Sequence, residues 1–388
     1  MTAPTTEKLR FTSIRLENWR NFTHVAVSLQ QRAFLVGPNA AGKSNLLDAF
    51  RFLRDLVAIG GGFQEAVRRR GGVSALRCLA ARRYPDVGIH VAVGGDTSPK
   101  AWEYDLRIRQ DNQRRPIVGS ERVVADGKVL LDRKEDAVRS EDPEQLYQTH
   151  LEQVNVNRTF RAIAEFFSSV RYLHLVPQLV REPDRSVGRT NDPYGGDFLE
   201  QIGAAQEKTR RARLRRMVDA LRVAVPQLSE LIFERDAKGI PRLKGRYEHW
   251  RPQGAWQDQD QLSDGTLRLL GILWAALDGG GPLLLEEPEL SLHPDVVRHL
   301  PQLLARIQRR SGRQVLISTH SVDLLRDEGI GLDEVLLLNP QLEGTNVTTA
   351  SSIDDAAVLL QGGLSLADIV MAQTRPKQAE QLALFEAP

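Results

Sequence analysis

The chain has 388 residues, of which 41% are hydrophobic and 26% charged, and its net charge is +2. These proportions are typical of a folded globular protein and exclude a disordered, collagen-like or disulfide-rich chain. With about 150 residues per domain, the length allows two or three domains. The single cysteine, Cys78, excludes an intrachain disulfide and a cysteine-based zinc cluster, and it favours a reducing compartment.

Two further patterns bear on where the protein works. The apolar run at residues 269–277 is much shorter than the roughly 20 residues that a membrane span needs. Residues 1–10 are polar and lack the apolar core of a signal peptide. We therefore expect a cytoplasmic protein with no membrane partner.

Apolar periodicity predicts the elements in chain order. Strands are predicted at residues 11–16, 22–29, 33–36, 87–93, 102–108, 122–125, 129–131, 170–176, 283–285, 314–318 and 334–338. Helices are predicted at residues 43–59, 198–225, 266–277 and 294–308. The alternation of helix and strand in the last third indicates a parallel sheet with crossover helices. Sustained heptads are missing, so a long coiled coil is not expected.

Residues 37–44, Gly-Pro-Asn-Ala-Ala-Gly-Lys-Ser, match the phosphate-loop pattern G-x-x-x-x-G-K-[ST] between a predicted strand and a predicted helix. Glycines let the backbone approach phosphate oxygens, and the start of the next helix favours an anion. Lys43 is expected to reach the β- and γ-phosphates of ATP, and Ser44 to offer its hydroxyl to Mg²⁺. The expected nucleotide-binding residues are Gly37, Asn39, Ala40, Ala41, Gly42, Lys43, Ser44 and Asn45.

Three later segments narrow the class of phosphate-loop protein. Leu-Ser-Asp-Gly-Thr at residues 262–266 precedes an apolar helix. An apolar strand at residues 283–285 ends in the carboxylates Glu286 and Glu287, and another strand ends at His320. In this order and spacing, the segments resemble the signature, Walker B and switch-histidine motifs of ABC ATPases.

The quoted motifs more closely resemble the SMC/RecF/OLD branch of ABC ATPases. They include Glu-Glu-Pro-Glu-Leu-Ser-Leu-His-Pro and the opening Phe-Thr-Ser-Ile-Arg-Leu-Glu-Asn-Trp-Arg-Asn-Phe. Within the branch, the chain resembles stand-alone RecF-like ATPases, which are OLD-like heads without a TOPRIM domain. The resemblance implies an α/β P-loop ATPase head with an antiparallel β subdomain and a helical lobe, and no long coiled coil.

The resemblance also implies an organisation in four parts. Residues 1–177 would form an ATPase lobe with Walker A and the antiparallel subdomain, and residues 178–261 a mainly helical lobe. Residues 262–372 would carry the signature, Walker B and switch histidine, and residues 373–388 a tail.

Roles for the acidic and histidine residues follow from the resemblance. Glu287 would be the general base that orients the attacking water, and His320 would contact the γ-phosphate. Glu286 would reach Mg²⁺, although the branch usually has aspartate there, so the extra methylene could move the metal contact.

The signature implies an ATP-dependent, head-to-head homodimer. Ser263 and Gly265 would close on the γ-phosphate of ATP bound to the opposite subunit. Asp264 stands where the transporter version of the motif has glycine. Gln178 is a candidate Q-loop glutamine, and the first strands offer two candidates to line the nucleotide, Arg20 and Asn21.

A basic segment leaves two interpretations open. Its positive residues are Lys208, Arg210, Arg211, Arg213, Arg215 and Arg216. They could contact the phosphate backbone of duplex DNA in a sequence-tolerant way, or they could form a solvated helix face paired with nearby acids.

The resemblance implies a function for the whole. The segment after His320 is too short for the TOPRIM nuclease domain of OLD proteins, so a separate, nuclease-like effector protein is expected. We expect an ATP-hydrolysing switch that senses DNA or a phage-derived signal and controls this effector in anti-phage defence. A RecF-like DNA repair ATPase and an ATP-gated scaffold with negligible turnover are the alternatives, and a transporter subunit is less favoured.

Overall fold

The computed structural model describes residues 8–81, 86–185, 192, 194–248 and 255–375. The strands are β1 Arg10–Trp19, β2 Phe22–Ser28, β3 Arg32–Val36, β4 Val87–Gly94, β5 Trp102–Gln110, β6 Pro116–Ala125, β7 Lys128–Lys134, β8 Arg171–Leu173, β9 Leu228–Arg235, β10 Pro241–Tyr247, β11 Ala255–Asp258, β12 Leu283–Glu286, β13 Val315–Thr319, β14 Val335–Gln341 and β15 Gly344–Thr349.

The α-helices are α1 Lys43–Val57, α2 Phe63–Arg68, α3 Val73–Leu76, α4 Glu135–Glu141, α5 Arg161–Ser168, α6 Pro177–Arg181, α7 Phe198–Ala204, α8 Glu207–Leu221, α9 Asp264–Leu277, α10 Pro294–Ser311, α11 Val322–Leu325, α12 Ala356–Gln361 and α13 Leu366–Thr374. Among the described residues, the longest helix, α10, has 18 residues. In that part of the chain, no helix is long and apolar enough to cross a membrane.

The chain forms two compact units. Unit 1 contains Met1–Arg171, Gly280–Leu284 and Gly312–Pro388, and unit 2 contains Tyr172–Gly279 and Leu285–Ser311. These boundaries differ from the predicted ones, because the predicted segment 262–372 is divided between the units. Its helices α9 and α10 belong to unit 2, and its last strands belong to unit 1. The predicted tail lies outside the described residues from position 376 onward.

Unit 1 contains two six-stranded sheets. The first is antiparallel, in the order β2–β1–β4–β5–β6–β7, and its β6–β7 hairpin turns at Asp126 and Gly127, whose φ angles are 45° and 77°. The core sheet has the order β15–β14–β3–β13–β12–β8, and the last residues of β12 and β8 pass into unit 2. In it β3 runs parallel to β13 and β14, which confirms the predicted parallel arrangement.

A buried amide joins the two sheets of unit 1. The Gln314 side chain accepts from the Phe11 amide at 3.0 Å and donates to the Phe11 carbonyl at 2.7 Å, pairing with β1 as a backbone group would. Phe11 also packs on Phe50 of α1, with ring centroids 4.7 Å apart. These contacts anchor α1 and thereby the loop before it.

Unit 2 contains the helices α6 to α10 and a three-stranded antiparallel sheet, β11–β10–β9. The description of residues 178–261 as mainly helical is corrected by this sheet, which buries Leu228 and Leu243 against the apolar side of α8. Gly239 adopts φ 79° in the turn between β9 and β10, and a glycine at such a position is a local signal for a hairpin.

The predicted helix at residues 198–225 is two helices, α7 and α8. Ala205 adopts an extended conformation after α7. The Arg210 guanidinium donates to the carbonyls of Gly203 and Ala205, each at 3.2 Å. Because these carbonyls lie at a helix end, the arginine satisfies acceptors that a continuous helix would have used itself.

Candidate nucleotide-binding site

The phosphate loop joins the fully buried strand β3 to α1. A Cβ on Gly37 would lie 2.6 Å from the Leu338 carbonyl oxygen, so only glycine lets the loop start this close to β14. Ala40 has φ 62° and Gly42 has φ 96°, so two residues of the loop are left-handed. Only glycine adopts this conformation without steric cost, and the alanine must be held in it by its surroundings.

Asn21 supports the loop. Its amide nitrogen donates to the Ala41 carbonyl at 3.0 Å and to the Thr345 hydroxyl at 2.8 Å. Its amide oxygen accepts from the Asn45 side chain at 2.8 Å. A Cβ on Gly42 would lie 2.2 Å from the Asn21 amide nitrogen. The predicted nucleotide-lining residue Asn21 therefore contacts the loop itself and fixes its shape.

Lys43 and Ser44 begin α1. The buried ammonium of Lys43 donates to the carbonyls of Gly37 at 2.9 Å and Pro38 at 3.2 Å, and so crosses the loop. The Ser44 residue is exposed. No side chain caps the start of α1. This arrangement presents a cation, a hydroxyl and uncapped helix N–H groups together, which are the donors that phosphate oxygens need.

Arg20 lies in a charged cluster beside α1. Its guanidinium donates to Asp48 at 3.4 Å and to the Ala75 carbonyl at 3.2 Å. Arg70 contacts the same carboxylate at 2.8 Å. Burial raises the pKa of Asp48, but the neighbouring guanidiniums, Arg70 foremost, bring it below its usual value. Arg20 thus pairs with a carboxylate of α1, and its role as a nucleotide-lining residue stays a prediction.

His320 shares a cleft with the phosphate loop. This cleft, of about 800 Å³, is lined by Gly37, Pro38 and Asn39, by His320 after β13, and by α13 residues that include Met371. His320 is exposed. No sequence pattern indicates that α13 forms a wall of this cleft, because the residues that line it together are far apart in the chain.

In unit 2, the end of β12 presents the two predicted carboxylates. Glu286 accepts a short hydrogen bond from the Tyr172 hydroxyl. Glu287 has φ 43°, a left-handed conformation that is unfavourable by about 1–2 kcal/mol for a residue with a side chain. Strain of this kind collects at functional sites. Sequence reasoning missed Tyr172, which lies far from the Walker B segment in the chain.

The signature segment is a capped helix start. The Ser263 hydroxyl accepts from the Thr266 amide at 3.2 Å and lies 2.8 Å from the Thr266 hydroxyl. A Cβ on Gly265 would lie 2.6 Å from the Ser291 carbonyl oxygen, so glycine allows α9 to pack on the turn that follows Walker B. Arg181 of α6 pairs with Asp264 at 2.6 Å.

Arg268, one turn into α9, was not predicted. Burial lowers the pKa of its guanidinium, and the carboxylates of Asp264, Glu287 and Glu289 oppose that shift. Its buried Nε has no hydrogen-bond partner among the described residues. Arg268 thus lies in the field of the Walker B carboxylates. Gln178 is exposed, and its amide donates to Glu182 at 2.8 Å, so its Q-loop role stays a prediction.

The predicted basic segment is α8, and its positive residues differ in their partners. Arg213 pairs with Asp278 at 2.6 Å and lies over Trp274, and Arg211 pairs with Glu207 at 2.5 Å. Within the described part of the chain, four basic residues of α8 have no ion-pair partner: Lys208, Arg210, Arg215 and Arg216. Of these, Arg210 is held by the Gly203 and Ala205 carbonyls. The role of these residues as DNA contacts stays a prediction, and Arg210 and Arg213 also contact helix ends.

The donor set is compatible with Mg²⁺. In the described residues, no three His, Cys, Asp or Glu side chains gather into a metal site. Mg²⁺ is often held by one or two protein oxygens with water and substrate phosphates, and the hydroxyl of Ser44 at the start of α1 is such an oxygen.

A comparison with protein families identifies the chain. The family described as "AAA domain, putative AbiEii toxin, Type IV TA system" matches residues 32–327. The chain belongs to this family. Two curated relatives are the methionine import ATP-binding protein MetN of Xanthomonas oryzae pv. oryzae, from strains MAFF 311018 and KACC10331 / KXO85. Each is 29% identical over 158 residues, covering 37% of the chain and 47% of the relative, so the chain matches about half of their length.

Solved structures show the same fold. A Smc head bound to the C-winged helix domain of ScpA has a TM-score of 0.55 at 13% identity, covering 87% of this chain and 97% of the other. The Smc head of Pyrococcus furiosus has a TM-score of 0.52 at 12% identity, covering 92% of this chain and 99% of the other. That head has an extended coiled coil and is bound to the C-terminal domain of ScpA. The Smc head of Pyrococcus yayanosii, with a coiled coil and joint, has a TM-score of 0.51 at 10% identity, covering 92% of this chain and 100% of the other. The predicted fold, an α/β P-loop ATPase head of ABC type with an antiparallel β subdomain, is confirmed.

Proposed function

We propose that this family member is an ATP-hydrolysing switch that responds to DNA and controls a separate effector protein. The observation that carries the proposal is the phosphate loop, which Asn21 holds in a left-handed conformation with Lys43 across it. A loop held in this shape binds phosphate without reorganising its backbone, which favours tight nucleotide binding.

The residues divide the chemistry between them. Lys43 and the first amides of α1 would bind the phosphates, and Ser44 and Glu286 would hold Mg²⁺, which supplies charge neutralisation at the phosphates when bound. Glu287 would orient the attacking water, and His320 would contact the γ-phosphate. Phosphoryl transfer needs positioning and charge stabilisation more than covalent steps, so these groups are sufficient in kind.

Completion of the site would require a second subunit. In this proposal, Ser263 at the start of α9 meets the γ-phosphate bound to the opposite head. ATP binding would then drive dimerisation and hydrolysis would release it, which makes the head a switch. Two of the Smc heads of similar fold are bound to a ScpA domain, and the family description names a putative toxin of a type IV TA system. Both support a partner protein, which we propose is a nuclease-like effector acting in phage defence.

DNA contact is proposed for the unpaired part of α8. Arg215 and Arg216 are exposed and adjacent, and Lys208 begins the same helix. Exposed cations without carboxylate partners are the ones that can exchange counterions with a phosphate backbone. We therefore expect sequence-tolerant and salt-sensitive binding of duplex DNA.

The deciding experiment is ATP turnover by the purified chain with and without linear duplex DNA. Glu287→Gln should bind ATP and lose turnover by about 100-fold or more. Arg215→Glu with Arg216→Glu should keep basal turnover and lose the DNA response, and the salt dependence of DNA binding should fall by about one unit of slope per lost contact.

A matched control is Arg309→Glu with Arg310→Glu, two exposed arginines at the end of α10 in the same unit. If this control loses the DNA response equally, the effect is one of net charge and α8 is not the site. Turnover that ignores DNA would remove DNA as the signal. ATP binding without turnover in the wild type would favour the ATP-gated scaffold.

A further inference from the structure

The signature segment contains a negative charge that a phosphate-contacting segment would not be expected to have. Asp264 follows Ser263 directly and is the first residue of α9, with 50% of its side chain exposed. A carboxylate near a bound phosphate opposes binding by like-charge repulsion. The transporter form of the motif avoids this cost with glycine. The segment therefore needs something that neutralises Asp264.

Arg181 supplies the opposite charge. One nitrogen, Nη2, lies 2.6 Å from the Asp264 carboxylate and donates to the Leu262 carbonyl at 2.7 Å. The two contacts fall on the residues immediately before and after Ser263. Arg181 is the last residue of α6, and 21% of its side chain is exposed. It is thus anchored in unit 2 and reaches both sides of the serine.

The other cation near Asp264 is Arg268, four residues further along α9. Its guanidinium interacts at longer range with Asp264, and also with Glu287 and Glu289. Its charge is shared among three carboxylates, so Arg181 remains the direct partner of Asp264. Gly265 also packs closely on the Ser291 carbonyl, which leaves the segment little room to move.

We propose that Arg181 is a positioning residue that prepares the signature segment to accept the γ-phosphate of ATP on the opposite subunit. It cancels the charge of Asp264 and fixes the backbone around Ser263 without contacting the nucleotide. The inference rests on the proposed ATP-dependent dimer and adds the residue that makes an acidic signature compatible with phosphate.

The experiment compares Arg181→Gln, Asp264→Asn and the double variant, each in the Glu287→Gln background that retains ATP. Dimerisation with ATP is measured by analytical ultracentrifugation. We expect Arg181→Gln to weaken dimerisation about tenfold or more, because a charge beside the phosphate is left unpaired. Asp264→Asn alone should change it little, and the double variant should regain most of the loss.

The double variant distinguishes two roles of Arg181, neutralising the charge of Asp264 and holding the Leu262 carbonyl. If Arg181 only held the Leu262 carbonyl, the double variant would dimerise as poorly as Arg181→Gln, and the proposal would be wrong. Affinity of the monomer for a fluorescent ATP analogue should be the same in all variants, since the phosphate loop belongs to unit 1. A loss of that affinity would also overturn the proposal.

The matched control is Arg235→Gln, which breaks a comparable ion pair with Glu200, 2.7 Å long, in the same unit. It should leave dimerisation unchanged. If the parent protein with Glu287→Gln fails to dimerise with ATP, the proposed function itself fails and this inference fails with it. If the parent dimerises and Arg181→Gln dimerises equally, only this inference is removed.

Discussion

The two helix starts that carry the nucleotide motifs are built by different means. The start of α1 has no side-chain cap, and the neutral amide of Asn21 holds the loop before it. The start of α9 is capped by the Ser263 hydroxyl, and the charged pair of Arg181 and Asp264 holds it. A helix start without a cap keeps its N–H groups available for an anion.

This difference suggests a division of labour. A neutral support does not alter the charge that a phosphate meets, so we expect the phosphate loop in unit 1 to bind nucleotide without help from the signature segment. The signature segment in unit 2 combines a hydroxyl with a charge pair that must stay balanced. Its contribution should therefore appear in dimerisation and not in the affinity of one head for ATP.

The largest expected effect is that of Gly42→Ala on ATP affinity. The new Cβ would meet the Asn21 amide at 2.2 Å in a backbone with φ 96°. We expect ATP affinity to fall by about 100-fold or more, because the loop or its support must move. Gly127→Ala is the control, since Gly127 has φ 77° and open space around it. That variant should cost about 1–2 kcal/mol of stability and leave ATP affinity intact.

The next effect concerns Asn21→Ala, which removes the hydrogen bonds to Ala41, Thr345 and Asn45. We expect a loss of about 1–3 kcal/mol in the free energy of unfolding, since buried partners stay unsatisfied. Affinity of the single head for ATP should fall about tenfold. Isothermal titration with a non-hydrolysable analogue would measure this. Unchanged affinity would show that the loop keeps its shape without Asn21.

A smaller effect is expected for Ser263→Ala. Loss of the cap should cost about 1 kcal/mol of stability, and ATP-dependent dimerisation should weaken while single-head affinity stays constant. Ser365→Ala removes an equivalent cap from α13, where the hydroxyl accepts from the Asp368 amide at 3.2 Å. The two variants should lose similar stability. If both weaken dimerisation equally, helix stability and not the hydroxyl explains the result.

The smallest effect on ATP binding and dimerisation is expected for His150, whose titration acts on stability and defines the pH range for these comparisons. Burial, with a contribution from Arg133, lowers the pKa of His150 to about 4 from its usual 6.5. The unfolded chain therefore binds this proton more readily than the folded protein, and stability should fall as pH decreases from about 6.5 to about 4. His150→Asn should flatten this part of the curve in thermal unfolding scans. An unchanged curve would assign the acid sensitivity to other groups.

Local sequence patterns predicted the structure correctly where the pattern lies within one segment of the chain. The phosphate-loop spacing, the alternation in β1 and the helical period of α1 each depend on neighbours in sequence, and each matched the structure. The sheet β9–β11 was missed, because its strands gain their stability from packing on α8 and not from a strong local pattern. The break between α7 and α8 was not predicted, because it is stabilised by the Arg210 side chain, which donates to the Gly203 and Ala205 carbonyls.

The sequence alone determined the class of protein, since the motifs of a nucleotide site must keep their order and residue types for the backbone to meet phosphate. Only the tertiary structure decided how the motifs are supported. Asn21 reaches the loop from the turn between β1 and β2, Arg181 reaches Asp264 from another helix, and Tyr172 reaches Glu286. These partners are separated by many residues, and hydrogen bonds and ion pairs of that kind form only after packing has brought distant segments together.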